Sequence, residues 1–260
     1  MLMLTDRVDD ELLDAAGPQL RIVADYAVGI DNVDVEACRR RGVVVSNTPD
    51  VLTEATAELT IAILLALLRR VAEGDRLIRR GEQWIWAPNL MLGQGLAGQV
   101  LGLVGHGRIG RAVERLAVAH GMTVIYCSRS SGLPLEELLA TADVVSLHLP
   151  LTDESRHLID AAALERMKPT AVLVNVSRGP IVDEEALVAA LRAGTIAGAA
   201  LDVFEREPEV HPGLLELENV VLVPHLGSAT QETREAMGML CVEALRAVLL
   251  DGRLPANAVS

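Results

Sequence analysis

The stretch Val100-Leu101-Gly102-Leu103-Val104-Gly105-His106-Gly107-Arg108-Ile109-Gly110 decides the fold. Val100 to Val104 is an unbroken apolar run, suited to a strand buried on both faces. Beyond it Ile109, Val113, Leu116 and Ala117 recur at helical spacing. The order is strand, glycine turn, helix. Gly105 permits the turn, Gly107 lets a pyrophosphate approach the backbone, and Gly110 lets helix and strand pack closely. The new helix aims free N–H groups at that phosphate. A plain glycine turn is the competing reading, and the flanking strand and helix weigh against it.

Outward from this stretch, βα alternation is regular. Strands are expected over 100–104, 123–126, 144–147, 171–175, 198–201 and 220–223. Helices are expected near 109–120, 135–140, 160–166, 183–193 and 230–249. Such alternation gives an α/β fold with a doubly wound parallel sheet. Upstream, residues 1–46 read as shorter α/β units: an apolar start at Met1 to Leu4, helices over 9–16 and 33–41, strands over 20–24 and 43–45. Tyr26 to Asn32 forms a turn at a strand's carboxyl end, where open α/β sheets bind ligands, though by itself it reads as an ordinary loop. Asn47-Thr48-Pro49-Asp50 breaks the chain. One long helix is expected from Thr53 to Arg80, apolar nearly all round and so buried in a core or a subunit interface. Trp84 and Trp86 follow in an irregular segment of a chain with 2% aromatic residues. They read as a packed arm or subunit contact, against a solvent loop.

Composition narrows the function. The 260 residues are 50% hydrophobic, enough for a large core and two domains. A net charge of −13 argues against nucleic acid and anionic membranes as partners. Cys38, Cys127 and Cys241 show no metal or disulfide spacing, so no metal is expected and a reduced, cytoplasmic compartment is. No signal peptide is read at the start, and the apolar run Ile61 to Leu68 is too short to span a bilayer.

The cofactor is read at the end of the second strand of the sheet. An acidic residue there usually holds a ribose 2′-hydroxyl. Here the strand ends Tyr126-Cys127-Ser128-Arg129-Ser130, without a carboxylate. Ser128 stands in the acid's place, and Arg129 suits a 2′-phosphate. NADP(H) is favoured, with NAD(H) the alternative if Arg129 stacks on adenine or faces solvent.

Three later strands end in chemistry-bearing segments: Asn175-Val176-Ser177-Arg178-Gly179-Pro180, Asp202-Val203-Phe204-Glu205-Arg206-Glu207-Pro208, and Pro224-His225-Leu226-Gly227-Ser228-Ala229-Thr230. In a parallel sheet all three ends lie on the cofactor side. Reducing a 2-oxo acid needs a cation for its carboxylate and carbonyl oxygen, and an acid for the developing alkoxide. Arg178 offers a planar fork for the first, and His225 suits the second. A carboxylate beside His225 would orient the ring and favour its protonated form. Spacing leaves Glu205 and Glu207 equal candidates for that carboxylate.

These segments, with Val28-Gly29-Ile30-Asp31-Asn32 and Gly105 to Gly110, resemble the D-isomer-specific 2-hydroxyacid dehydrogenase family through most of the chain. Within it, Trp86-Ala87-Pro88, Leu92-Gly93, Ser128-Arg129 and His225 to Thr230 are most similar to glyoxylate/hydroxypyruvate reductases. The resemblance implies that Arg178 binds and polarises the substrate, that Glu207 rather than Glu205 partners His225, and that His225 donates the proton. It implies substrate carboxylate contacts from the Val28 and Gly29 amides. Cofactor contacts are implied for His106, Gly107, Arg108, Ile109, Ser128, Arg129, Ser130, Val176, Ser177, Arg178, Asp202, His225, Leu226 and Gly227, with Thr56 a weaker candidate. It implies a discontinuous, flavodoxin-like substrate domain at 1–46 and 229–260. The Rossmann cofactor domain would span 47–228, with a homodimer contact over the helix and arm 53–97.

That family begins with a further strand and helix. This sequence starts at Met1-Leu2-Met3-Leu4-Thr5-Asp6, read as a misplaced start in preference to a fragment or a remodelled domain, with every implied catalytic position in place. Phosphoglycerate dehydrogenases of the family often add a regulatory domain after the point corresponding to Ser260, and formate dehydrogenases carry Gln where Glu207 stands. The C-terminal-binding corepressors share the fold, so a dinucleotide-sensing protein without turnover is the reading from another class.

Overall fold

A computed structural model describes residues 2–3 and 6–259; Met1, Leu4 and Thr5 of the opening segment lie outside them. The chain divides into two compact units, 1–55 with 228–260, and 56–227.

In the first unit β1 (Leu2–Met3), β2 (Ile22–Asp25) and β3 (Val44–Ser46) form a parallel sheet in the order β1-β2-β3. Helices α1 (Asp10–Ala16) and α2 (Val35–Arg40) alternate with them. Each is capped by an aspartate, Asp9 and Asp34, whose carboxylate accepts a first-turn N–H. Residues 47–55, expected in the cofactor domain, belong to this unit. The reason is local: the Thr48 N–H donates to the Ala27 carbonyl at 2.8 Å, and the Asn47 side chain donates to that of Val28 at 2.8 Å.

The second unit opens with α3 (Thr53–Leu68), whose first residues lie in the first, and α4 (Val71–Arg79). The single helix expected over 53–80 is therefore broken. Arg70 takes the left-handed conformation (φ 54°), and the returning chain places the Gln94 N–H on the Leu68 carbonyl at 2.9 Å. That carbonyl is spent on a distant residue rather than on the next helical turn.

Beyond the break run β4 (Val100–Val104), α5 (Arg108–Ala119), β5 (Thr123–Cys127), α6 (Leu135–Thr141), β6 (Val144–Leu147), α7 (Ala161–Arg166) and β7 (Val172–Asn175). They are followed by α8 (Glu184–Ala193), β8 (Gly198–Leu201), the short α9 (Pro212–Leu215) and β9 (Val220–Leu222). The last helix, α10 (Gln231–Leu249), returns to the first unit. Periodicity does not predict the 3-10 turn over Gly179–Ile181 or α9, both being shorter than any window that reveals it.

The six strands, all parallel, lie in the order β5-β4-β6-β7-β8-β9. Side chains alternate between the faces, as strand geometry requires. Leu147, Leu173 and Leu201 pack with α6, α7 and α8; Leu101, Leu103, Val172 and Val174 pack with α3 and α5. Each fully buried leucine contributes roughly 1.5–3 kcal/mol, which is why the strands read as unbroken apolar runs. The order reverses between β4 and β6, and ligands bind outside the carboxyl ends of such a sheet at that reversal. Gly105 follows β4 and His148 follows β6, so both stand there. Among the described residues no helix is long and apolar enough to cross a membrane.

Candidate active site

The glycines after β4 serve three different ends. Gly105 sits at φ +97°, and a Cβ there would lie 2.5 Å from the His148 carbonyl oxygen. A Cβ on Gly110 would lie 2.5 Å from the Gly105 oxygen, so helix and turn touch backbone to backbone. Gly107, which caps α5, has open space where its Cβ would be. An exposed helix N-terminus with no side chain in front of it fits a dinucleotide's phosphates. Gly107→Val is accordingly expected to fold with an unchanged melting temperature but to weaken dinucleotide affinity at least about tenfold, read by fluorescence titration beside thermal unfolding.

His106 stacks on Tyr126, ring centroids 4.0 Å apart, and its Nε2 lies 2.6 Å from Glu114 Oε2. Arg108 is exposed and Ile109 half-buried on the first turn of α5. After β5 the Ser128 hydroxyl donates to the Ser131 carbonyl at 2.8 Å and accepts the Ser131 N–H, closing a short turn. Arg129 and Ser130 are exposed on that turn. The Glu154 carboxyl lies below its usual range, chiefly through the Thr152 hydroxyl, with a smaller contribution from the Arg129 charge.

His148, half-buried behind the glycine turn, bonds the Ser146 hydroxyl through Nε2 at 2.8 Å. Burial pushes its imidazole down to about 3, so it is neutral.

Three segments meet at the carboxyl ends of β7, β8 and β9. Asn175, buried at the end of β7, accepts the Ser177 N–H and donates to the Arg178 carbonyl, both at 3.0 Å. The Ser177 hydroxyl donates to the Leu149 carbonyl, and Val176 is buried beneath. This bracing presents Arg178. Asn175 has no role that the sequence alone assigns, and only its side-chain bonds reveal one.

Glu207 Oε2 lies 2.9 Å from His225 Nδ1, and Glu207 Oε1 accepts the Phe204 N–H at 3.0 Å. Glu205 points elsewhere, to His157 Nε2 at 2.8 Å. Burial alone would raise the Glu207 carboxyl. The His225 bond and charge, the Phe204 N–H and the Arg178 charge outweigh it, so the carboxyl lies below its usual range. Glu207 is therefore ionised beside the ring, and the Arg178 charge falls on the same pair.

His225 takes the left-handed conformation (φ 52°), a strained choice for a residue with a Cβ. Asp202 secures it. The Asp202 carbonyl accepts the His225 N–H at 2.9 Å, and the carboxylate accepts the N–H groups of Leu226 and Gly227. Asp202, expected among the cofactor contacts, is wholly buried and directed at this loop, and burial raises its carboxyl. Thr56 braces the same loop by donating to the Gly227 carbonyl at 3.1 Å. Val28 and Gly29 lie in the first unit, in the loop after β2.

A cation, an imidazole and an ionised carboxylate thus lie at the carboxyl ends of the same parallel sheet as a dinucleotide-type glycine turn, in one unit. Residues 61–227 match the family model for the D-isomer specific 2-hydroxyacid dehydrogenase NAD binding domain. The glyoxylate reductase of Aeropyrum pernix is 52% identical over 275 residues, covering 99% of this chain and 81% of that protein. A crystal structure from Thermus thermophilus superposes with a TM-score of 0.95 at 50% identity, covering 100% of this chain and 85% of that one. The NADPH-dependent glyoxylate/hydroxypyruvate reductase of Sinorhizobium meliloti, solved with NADP and malonate, gives 0.87 at 38% identity, covering 100% and 83%. The chain belongs to the D-isomer specific 2-hydroxyacid dehydrogenases, enzymes that use a nicotinamide dinucleotide.

Proposed function

We propose that this protein reduces glyoxylate or hydroxypyruvate to the 2-hydroxy acid, with NADPH as the preferred reductant. The observation that carries the reading is the Glu207–His225 pair under the charge of Arg178. The names of its relatives from Aeropyrum pernix and Sinorhizobium meliloti support the substrate class.

The bound reduced nicotinamide supplies the hydride. Arg178 holds the substrate carboxylate and draws electron density onto the carbonyl oxygen. The Val28 and Gly29 amides of the first unit are proposed as substrate-binding groups. His225 Nδ1–H is held by Glu207, which leaves Nε2 to donate the proton to the oxygen as it becomes an alkoxide. Glu207 stabilises the charged ring before transfer. Gly105 to Gly110, Ser128 to Ser130, Val176 and Ser177 are proposed to hold the cofactor. Steady-state oxidation of NADPH and NADH with each oxo acid tests the reading. The expected result is turnover with both acids, and a folded, dinucleotide-binding protein without turnover would make it a sensor instead.

Preference for NADPH is supported by the exposed Arg129 and the lack of a carboxylate after β5. Arg129→Ala is expected to raise KM for NADPH about tenfold, the loss of one charge-assisted contact to phosphate, and to leave KM for NADH within twofold. Equal effects on both cofactors would remove the 2′-phosphate role.

A homodimer through the arm is proposed from exposure. In α4 every residue is at least partly exposed, Val71 and Ile78 markedly so. Ile85 and Trp86 beyond it are 85% and 76% exposed. Large apolar groups clustered in this way mark an interaction surface. Light scattering should give twice the chain mass, and Ile85→Glu should shift it toward the monomer.

A further inference from the structure

The peptide joining Phe204 to Glu205 is held from several sides. Its oxygen faces Gly179, where a Cβ would lie only 1.8 Å away, so the Arg178–Gly179 backbone rests directly on it. The Glu205 N–H donates to Glu184 Oε1 at 2.7 Å. The Glu205 carboxylate completes the clamp, Oε1 with His157 Nε2 at 2.8 Å and Oε2 accepting the Glu184 N–H at 3.4 Å. Phe204, the chain's only phenylalanine, anchors its ring in the core. The same residue's N–H grips Glu207 Oε1, and Glu207 Oε2 meets His225. His157 is itself tied down, in the left-handed conformation (φ 50°) with its N–H on the Pro180 carbonyl at 2.8 Å.

We propose that Glu205, clamped by Glu184 and His157, is a positioning residue that sets Glu207 on His225 and registers that pair against Arg178. The proposal rests on the reductase reading above. Glu205 touches neither His225 nor Arg178 through any of these bonds; it acts through the peptide that both neighbouring segments share. A carboxylate suits the post, because it accepts from an imidazole and a backbone N–H at once. Glu184 is almost fully buried, and burial pushes its carboxyl up. Leaving its Oε1 without the Glu205 N–H would cost a buried hydrogen bond, so the clamp resists opening. The arrangement explains why two glutamates separated by one residue have different duties. Glu207 faces the imidazole of the site, and Glu205 holds the backbone that aims it.

The test compares wild type with Glu205→Ala, Glu205→Gln and His157→Ala. Two readouts are needed: steady-state kinetics with NADPH and glyoxylate, and the low-field proton resonance of the His225 Nδ1–H in substrate-free protein. A misplacement of Glu207 by about 1 Å predicts a kcat loss of about tenfold to a hundredfold in Glu205→Ala. The solvent isotope effect on kcat should rise as proton transfer becomes limiting, and the His225 resonance should broaden or move upfield. NADPH affinity should stay within twofold. Glu205→Gln, which keeps one carbonyl acceptor, should recover part of kcat, and His157→Ala should show the same pattern more weakly.

A Glu205→Ala protein with wild-type kcat and an unmoved resonance overturns the proposal. So does a loss shared equally by NADPH affinity and kcat, which would mark a general weakening of the fold. Should Glu205→Ala fail to fold, His157→Ala decides by the same readouts. Wild-type protein that does not turn over glyoxylate would defeat the reductase reading, while the resonance still decides on the clamp.

Discussion

His225→Ala is expected to lower kcat for oxo-acid reduction by about a hundredfold to ten-thousandfold, the usual range for removing a general acid. Dinucleotide affinity should stay within about twofold, since the glycine turn and the loop after β5 are untouched. Both values come from one series: stopped-flow or steady-state NADPH oxidation, beside a fluorescence titration with NADPH alone. A variant that binds NADPH poorly would show that the ring holds the cofactor and not the proton. The structural basis is the direction of the ring. Nδ1 is committed to Glu207 at 2.9 Å, and the side chain is 44% exposed, so Nε2 is free to meet a substrate. The acid side of the activity profile follows from Glu207. Its carboxyl lies below the usual range, so it remains ionised as pH falls through ordinary glutamate values. The pair is complete above those values and is lost only as pH falls through the lowered one. Glu207→Gln should therefore erase whatever acid-side loss the carboxylate causes, on top of a smaller loss of kcat than His225→Ala produces.

Gly105→Ala is expected to destabilise the protein by about 3 kcal/mol or more, the sum of backbone strain and overpacking. In a chain of this size that is a fall in melting temperature of roughly 6–12 °C. Two separate penalties meet at this residue. Its φ of +97° is a conformation that residues with a Cβ rarely adopt, and the added methyl would lie 2.5 Å from the His148 oxygen and 2.6 Å from its carbon. Neither side can yield cheaply. The Gly105 N–H is bonded to the Cys127 carbonyl at 2.8 Å, and the His148 N–H to the Val104 carbonyl at 2.7 Å. The turn is pinned to β5 and β6 at once. Dinucleotide affinity should fall with stability, whereas in Gly107→Val affinity falls alone. Thermal unfolding and NADPH titration of both variants separate a glycine required by the fold from one required by the ligand. A Gly105→Ala protein that melts like wild type would mean that the turn relaxes, and the close approach to His148 would then carry no weight.

Where the sequence misleads, the cause is a contact between distant residues. The helix expected over 53–80 stops at Leu68 because Gln94, far along the chain, takes its carbonyl. Hydrophobic pattern is blind to that bond, and the residues on both sides of the break are good helix formers. The family resemblance implies Asp202 as a cofactor contact; that its carboxylate also accepts the Leu226 and Gly227 N–H groups, beside the left-handed backbone of His225, is visible in no spacing. Asn175 opens a motif without an assigned role and His157 lies outside every motif, and their parts emerge only from the groups they bond.

The sequence by itself determined the architecture. Apolar runs at regular spacing dictate buried parallel strands, helical periodicity between them dictates the covering layers, and three glycines after the first strand of the sheet mark the ligand turn. Those signals are local, a few residues each, so they survive without knowledge of the fold. It also assembled the candidate set Arg178, His225 and either Glu205 or Glu207, because parallel strands send their carboxyl ends to one side. Only the tertiary structure shows why Glu207, the partner the family resemblance implies, meets the imidazole and Glu205 does not. Glu205 and Glu207 stand two positions apart and share a residue type, so spacing cannot separate them. The separation is made by Gly179, Glu184 and His157, brought from a turn, a helix start and a loop to hold the Phe204–Glu205 peptide so that Glu207 faces His225 and Glu205 does not.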